Sequence, residues 1–556
     1  MHKRMRSFSI MALLAVVVFS SCSKTNKQGR YIPKNAGIVM HIDGASLNSK
    51  LPWEEIKKNE GFQKMIADSN ISAFSKSILD NPENSGVNTK TDIIAFVVKD
   101  SVGGYVAFEG SITDEVKFKK MLTEAAKDAK ESTKDGFTFS STDKGVIAYN
   151  KEKFIATINT PEISAMDGYK EKPTDSLGNP LPSTTPTRDM AAATTALINL
   201  KEDNSLAVDE KFTELVKTTG DIHFWLNAEH FNSAGALGAA ATMINLTKLY
   251  KGAITAATLN FDNGKIVIDS KSYGGKELTD LYKKYSGSGI DKKMITSIPS
   301  QNVAGLFALN FKPEGVKEFL KLLNLDGFLN IGLAQAGLNL DDFIKANKGD
   351  ILFAVTDLKQ DTIGRPDAQV LFAASIGDKA SFKKLIDAGN KLGGSMLGGS
   401  ESEKIVFNTN DNYFAISNSK TTTDSYLAGK ASSNFSFFDK ISEGPIAGYV
   451  NIQYILTSMK PSATSDSLTK VTYDENVKMW DNVIISGGNF KSGGLTQHIE
   501  INLLDKNTNS LKQLNGYASK MYVIEEKKKA QYATMWNDND VIMDAPATDT
   551  TVTTIK

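Results

Sequence analysis

His223 and His230, in residues 222–231 (IHFWLNAEHF), are the most closely spaced histidines in the sequence and the first candidates for a metal site. In a helix, two residues seven positions apart share a face, whereas in a strand they point to opposite faces. The aromatic and aliphatic residues around them favour a strand. We therefore predict that these histidines do not share an ion, and we assign no metal ligand in the chain.

The sequence lacks the motifs of common catalytic and cofactor sites. Residues 393–399 (GGSMLGG) do not have the G-x-S-x-G spacing of a serine hydrolase. No phosphate-binding loop, dinucleotide fingerprint or H-E-x-x-H motif occurs. We therefore assign no catalytic residue, expect no cofactor and favour a non-enzymatic role. A hydrolase of envelope glycans or peptides that uses carboxylates without a linear motif is the alternative.

Cys22 is the one residue to which we assign a chemical role. It is the only cysteine of the chain, which excludes intramolecular disulfides. A basic segment (2–6), an apolar run (9–19) and two serines precede it, as in a signal peptide. Residues 19–22 (FSSC) resemble the lipobox of bacterial lipoproteins, in which the cysteine is lipidated. An ordinary secretory signal with an incidental cysteine is the alternative.

Lipidation of Cys22 would anchor the mature protein to a membrane through its acyl chains. No later segment has as many as about 18 uninterrupted apolar residues, so the sequence predicts tethering and not a spanning helix. Ser23 occupies the position where an aspartate would resemble an inner-membrane retention signal. The analogy therefore favours the outer membrane, and because no acidic export run follows, it favours the periplasmic face over the cell surface.

The charge balance limits the kinds of partner. Lys+Arg and Asp+Glu both number 64, which gives a formal net charge of zero. Such a chain has no global field that would attract nucleic acid, so we expect no nucleic-acid partner. An envelope protein or an envelope glycan stays open as the partner, in addition to the membrane that the lipid anchor would enter.

Segments that predict the same secondary-structure elements occur twice in the sequence. Residues 106–122 (VAFEGSITDEVKFKKML) and 370–386 (VLFAASIGDKASFKKLI) have identical residues at eight positions. Each copy reads as a strand followed by an amphipathic helix, with Asp114 or Asp378 as the expected helix cap. Further apolar strands, hairpins and a closing helix recur in the same order, which predicts an internal duplication.

The chain is too long for one typical core, and the order of its strands, helix and hairpins contains few regular βαβ units. We therefore predict an α+β fold of two tandem homologous halves, each mainly antiparallel sheet with packed amphipathic helices. The divisions that we predict are a signal peptide (1–21), a flexible tether (22–30), a first half (31–290), a second half (291–536) and a disordered tail (537–556).

The lipobox, the Ile-Pro pairs at 32–33 and 298–299, and the twin Ser-Ile-x-Asp-x-x-x-Phe-Lys-Lys motifs resemble a family of Bacteroidetes cell-envelope lipoproteins catalogued only as a domain of unknown function. The resemblance implies an address but no activity. We expect a membrane-tethered, non-catalytic binding or scaffold module. Besides the hydrolase, a second alternative is capture of an apolar or lipid ligand between lobes, with Met243, Ile244, Leu246 and Leu249 as candidate lining residues.

Replacing Cys22 with serine (Cys22→Ser) tests the predicted anchor. We expect the unaltered protein to sediment with membranes and to carry acyl chains in its intact mass, and the variant to lose both properties. Ser21→Ala keeps a small residue before the cysteine and should retain them. Recovery of unmodified Cys22 in the membrane fraction would contradict lipidation.

Overall fold

A computed structural model of the chain describes residues 27–69, 71–100, 103–160, 188–231, 244–396, 405–429, 433–462 and 465–539. The predicted signal peptide (1–21), Cys22 and residues 540–556 of the predicted tail lie outside the described residues, as does Met243.

The strands are β1 (Ala36–Ile42), β2 (Ile93–Asp100), β3 (Gly103–Ser111), β4 (Lys130–Lys134), β5 (Phe137–Ser141), β6 (Gly145–Tyr149), β7 (Lys153–Asn159), β8 (Ile222–Asn227), β9 (Ile254–Asp262), β10 (Lys265–Tyr273), β11 (Val303–Asn310), β12 (Asn347–Gln360), β13 (Pro366–Ile376), β14 (Val406–Thr409), β15 (Tyr413–Ser417), β16 (Ile446–Val450), β17 (Trp480–Lys491) and β18 (Gly494–Leu503).

The α-helices are α1 (Gly44–Lys50), α2 (Trp53–Ile56), α3 (Glu60–Ala67), α4 (Ala73–Asp80), α5 (Glu115–Ala125), α6 (Met190–Ile198), α7 (Glu210–Lys217), α8 (Ala228–Phe231), α9 (Thr247–Tyr250), α10 (Lys276–Tyr285), α11 (Lys292–Thr296), α12 (Pro313–Leu322), α13 (Asp326–Gln335), α14 (Leu340–Ala346), α15 (Lys379–Met396), α16 (Lys420–Ala428), α17 (Phe438–Ile441), α18 (Ile452–Ser458), α19 (Ser467–Met479) and α20 (Ser510–Asn539).

The fold is α+β, as the sequence predicts, and the described strands form one 18-stranded sheet. Every neighbouring pair is antiparallel, and the spatial order is β4-β5-β6-β7-β3-β2-β1-β8-β9-β10-β18-β17-β16-β11-β12-β13-β15-β14. Strands up to β10 therefore occupy one side of the sheet, and β11 to β18 occupy the other. The pairing of β10 with β18 joins the two sides.

The described part of the chain has two main clusters of buried apolar residues, one that includes Val39 and one that includes Leu306. A row of directly opposed residues crosses the eight strands from β1 to β11 and shows that both clusters lie on the same face of the sheet. The row consists of His41, His223, Thr258, Asp269, His498, Ser486, Ala447 and Ala308. We call this face the core face. Because strand side chains alternate, Val39 and Leu306 also belong to it, and both are buried. Met40 and Phe307 point to the opposite face.

The repeated segments form the elements that their sequence predicts. The first copy gives β3 followed by α5, and the second gives β13 followed by α15. The Asp114 carboxylate accepts a hydrogen bond from the Lys117 N–H at 3.0 Å, and the Asp378 carboxylate accepts one from the Ser381 N–H at 2.7 Å. Both carboxylates therefore satisfy N–H groups that the first helical turn leaves unpaired.

Two element boundaries differ from the sequence expectation. The strand expected over residues 222–231 ends at Asn227, and Ala228–Phe231 is a short helix. The closing helix α20 continues to Asn539, so the first residues of the predicted tail are helical. In both places the residue types did not indicate where the element ends, because neither proline nor glycine occurs there.

Two glycines with positive φ allow a matched test of backbone geometry. Gly349 in β12 has φ +115°, and a Cβ there would lie 1.8 Å from the Phe311 carbonyl oxygen, whereas Gly364 has φ +83° and open space around it. We expect Gly364→Ala to cost about 1 kcal/mol of unfolding free energy, from φ alone. Gly349→Ala should cost about 3 kcal/mol, since the carbonyl must also move. Equal losses in urea denaturation would contradict this.

Candidate functional site

An apolar groove of about 510 Å³ lies where the second side of the sheet meets the last helix of the first side. Its walls come from α10 and α12, and five strands supply its floor. The floor residues are Leu309, Ile351, Ile446, Gly488 and Leu495. We call this feature the junction groove. Its volume lies within the range of small-molecule sites in proteins.

The spacing of apolar residues in the two helices explains the walls. In α10, Leu281, Tyr282 and Tyr285 recur at helical spacing, and in α12 Val316 and Phe319 do the same. Pro313 begins α12, where its fixed φ suits the first turn.

Gly315 allows the two helices to approach closely. A Cβ at this position would lie 2.5 Å from Cβ of Tyr285, a contact too short for any other residue. Both residues line the junction groove, so this close approach sets the distance between its two walls.

The floor of the groove continues into exposed aromatic side chains. Phe307 and Phe353 oppose each other across β11 and β12, two residues along from Leu309 and Ile351 on the same face. They are 45% and 43% exposed. Phe372 in β13 lies opposite Phe353 and extends the row. We call these five residues the apolar track; exposed apolar surface of this kind is typical of binding sites.

Lys312 is the one charged side chain among the described residues that line the groove. Its Nζ donates a hydrogen bond to the Lys284 carbonyl oxygen at 3.0 Å, which keeps the ammonium beside the groove. An otherwise apolar groove with a cation at its border suits a molecule that has an apolar chain and an anionic end.

The lining residues expected from the sequence lie elsewhere. Ile244 and Leu246 are in the turn before α9 and Leu249 is in that helix, all partly buried, and none of them lines the junction groove. Sequence reasoning missed the groove because its residues come from two helices and five strands that lie far apart in the sequence.

His223 is buried in β8, whereas His230 is exposed on α8, so the two histidines do not occupy opposite faces of one strand as expected. The sequence did not indicate that His223 meets His41, with the two Nδ1 atoms 2.9 Å apart. The alternation of β1 places His41 on the face of the buried Val39, but it does not identify the residue that His41 meets.

Hydrogen bonds assign one proton position in this histidine pair. Nε2 of His223 lies 2.8 Å from the Thr218 carbonyl oxygen, which can only accept, so Nε2 carries a proton. A single proton then occupies the contact between the Nδ1 atoms. Burial lowers the pKa of His223. The pair is therefore a buried polar element of the core, held by one shared hydrogen bond.

Two carboxylates near the histidines have opposite pKa shifts: Asp92 contacts His41, whereas Ile94 separates Glu109 from His41 in the row of opposed residues. Asp92 lies 3.2 Å from Nε2 of His41, and this contact and the Gln28 amide hold the pKa of Asp92 below its usual value. Burial raises the pKa of Glu109 to about 8. Opposed shifts are what a general acid–base pair needs. The Glu109 Oε2 atom is enclosed and makes no hydrogen bond in the described structure.

A further charged cluster lies at the join of the sheet. Nδ1 of His498 is 2.7 Å from the Asp269 carboxylate on the neighbouring strand. Glu500 lies 2.5 Å from Nζ of Lys265 and 3.1 Å from Nζ of Lys440. Burial alone would raise the pKa of Glu500, but the two lysines lower it to about 2. A carboxylate held ionised in this way stabilises the join and cannot act as an acid near neutral pH.

Among the described residues, no set of three or more His, Cys, Asp or Glu side chains is arranged to hold a metal ion. The described helices include none whose length and apolar content would allow it to cross a bilayer.

Residues 29–179 match the family described as Domain of unknown function (DUF4836). No curated protein matches the chain. Crystal forms I and III of TP0453 are similar at 10% identity; they cover 44% and 46% of this chain and 79% and 84% of theirs, with TM-scores of 0.23 and 0.24. TM-scores this low support no structural argument.

Glu109→Gln tests the buried carboxyl group. Between its usual pKa of 4.5 and about 8, the folded protein keeps a proton that the unfolded chain has released. The stability of the folded protein therefore falls as pH rises through this window. We expect the variant to raise the unfolding free energy by roughly 4 kcal/mol at about pH 8 and to leave it unchanged at about pH 4.

Urea denaturation at the two pH values measures this effect. Glu131→Gln, in the exposed strand β4, is the matched control and should change little at either pH. A pH-independent effect of Glu109→Gln would show that the group is ionised in the folded protein.

Proposed function

We propose that this chain is a lipid-anchored protein of the cell envelope that acts as a non-catalytic binding module. Its ligand is a molecule with a long apolar chain and an anionic end, bound in the junction groove. The observation that carries the proposal is the groove itself, whose apolar floor leads into the exposed Phe307 and Phe353 and whose one lining charge is Lys312.

The anchor and the address rest on the sequence. The lipobox-like residues 19–22 support lipidation of Cys22, and the family match of residues 29–179 is consistent with the resemblance to Bacteroidetes envelope lipoproteins. In this proposal the protein is held at the outer membrane, on the periplasmic face, through the acyl chains of Cys22. A groove that holds one apolar chain would then face a compartment bounded by lipid.

The proposal includes the internal duplication. Strands β1, β2, β3, β7, β8, β9 and β10 correspond in pairing order to β11, β12, β13, β15, β16, β17 and β18. This agreement supports two homologous halves. The junction groove then arises from the assembly of the halves, because α10 closes the first half and α12 belongs to the second.

The hydrolase alternative has weaker support. Glu500 is held ionised by its lysine partners and has no proton to donate at neutral pH. Glu109 keeps its proton, but its Oε2 atom is enclosed and makes no hydrogen bond to a second catalytic group in the described structure.

Palmitate binding to the purified full chain tests the proposal. Val316→Glu places a carboxylate in the groove wall and should weaken binding at least about tenfold, by desolvation and by repulsion of the anionic end. Val116→Glu is the matched control, since Val116 is 80% exposed on α5, and it should bind as the unaltered chain does.

Isothermal titration calorimetry measures the affinities, and a trimethylammonium amphiphile with the same chain length tests the role of Lys312. We expect it to bind more weakly than palmitate. Absence of palmitate binding, or equal effects of the two substitutions, would overturn the junction groove as the site.

A further inference from the structure

A second cavity, of about 670 Å³, lies at one end of the second half and differs from the junction groove in chemistry. Polar side chains from α11, β13, β15 and α16 dominate its lining. We call it the polar cavity. Three of its residues, Asp291, Tyr413 and Tyr426, carry the argument that follows.

Tyr426 presents an unsatisfied hydroxyl group to the polar cavity. The residue is 2% exposed, and its hydroxyl makes no hydrogen bond within the described part of the chain. Burial raises the pKa of Tyr426, so the hydroxyl is neutral and keeps its proton. Buried polar groups in folded proteins almost always have a partner, and a group that lacks one beside a cavity indicates that the cavity supplies it.

Tyr413 and Asp291 form the neighbouring wall. The Tyr413 hydroxyl donates a hydrogen bond to the Asp291 carboxylate at 2.5 Å, and the rings of Tyr413 and Tyr426 meet edge-on with centroids 6.4 Å apart. The Tyr413 hydroxyl bonds one oxygen of Asp291, and the Lys293 N–H donates to the other at 3.0 Å; each oxygen keeps a further lone pair, and Asp291 is only partly buried. The carboxylate can therefore accept further hydrogen bonds from a ligand.

Hydrogen bonds among the residues at and behind the wall of the polar cavity hold this wall in place. Asp350 is buried and accepts from the Asn310 amide at 2.7 Å and from the Ser375 hydroxyl at 3.2 Å. The Asn410 amide donates to the Leu427 carbonyl oxygen at 2.7 Å. Of the three residues that carry the argument, Tyr426 therefore has an unused hydroxyl group and Asp291 has remaining lone pairs for a ligand.

We propose that the polar cavity binds a saccharide, with ring hydroxyls bonded to Tyr426 and Asp291. A carboxylate requires a donor, whereas a tyrosine hydroxyl can donate and accept. An ammonium offers donors alone and a phosphate offers acceptors alone, but adjacent sugar hydroxyls offer both. Lys293 and Lys348 at the rim add donors for further ring oxygens. This site does not depend on the junction groove.

Tyr426→Phe is the informative variant because it removes only the hydroxyl. In the absence of ligand we expect Tm to stay the same or to rise, since no described hydrogen bond is lost. Saccharide binding should weaken about tenfold, the effect of one hydrogen bond. Tyr449→Phe is the matched control: Tyr449 is a buried tyrosine of the same half that does not line the cavity. It should leave saccharide binding unchanged.

The experiment is calorimetric titration of the full chain with cellotetraose, chitotetraose and tetragalacturonate, which separates neutral, acetamido and acidic sugars. Binding of any of the three that is weakened by Tyr426→Phe and not by Tyr449→Phe supports the site. Absence of binding to all three would mean that water alone satisfies Tyr426 and would overturn the proposal. Binding that Tyr426→Phe leaves unchanged would place the saccharide elsewhere and would also overturn it.

Discussion

The backbone hydrogen bonds between β10 and β18 are the constraint on which the rest of the structure depends. Without them each side of the sheet would end in an unpaired edge strand, which readily pairs with other chains. With them, eight residues of β10 are opposed by eight of β18 and the sheet is continuous. The contact of Asp269 with His498 and the ion pair of Glu500 with Lys265 lie on these two strands. The position of α10 beside α12, and so the junction groove, follows from the same join.

Features set by neighbouring residues could be predicted from the sequence, whereas features set by distant ones could not. The caps at Asp114 and Asp378 follow from the cap residue and the apolar spacing after it. The strand that contains His223 follows from the aromatic and aliphatic residues around it. The meeting of His41 with His223, in contrast, depends on β1 pairing with β8, and the chain between them gives no sign of this pairing. The groove and the polar cavity depend on contacts of the same long-range kind.

The two halves place different side chains on a similar framework. His41 and His223 oppose each other on β1 and β8, and at the corresponding place on β11 and β16 the residues are Ala308 and Ala447. In the first half, the strands around His41 carry histidines and carboxylates. Glu109 is neutral there at neutral pH because burial disfavours its charge. The second half has small residues at the core positions and a cavity bounded by tyrosines. The pairing order constrains the backbone, while the inward side chains determine which half offers a binding site.

The central position of β18 has a consequence for the order in which the protein can form. This strand is the last of the described strands, yet it lies in the middle of the sheet. If the chain folds from its N-terminus, β1 to β10 can pair first, but β10 keeps an open edge until β18 is available. Pairings between distant segments are slow to form, and an open edge invites association. The free edge of β10 is therefore the place where incompletely folded chains would associate.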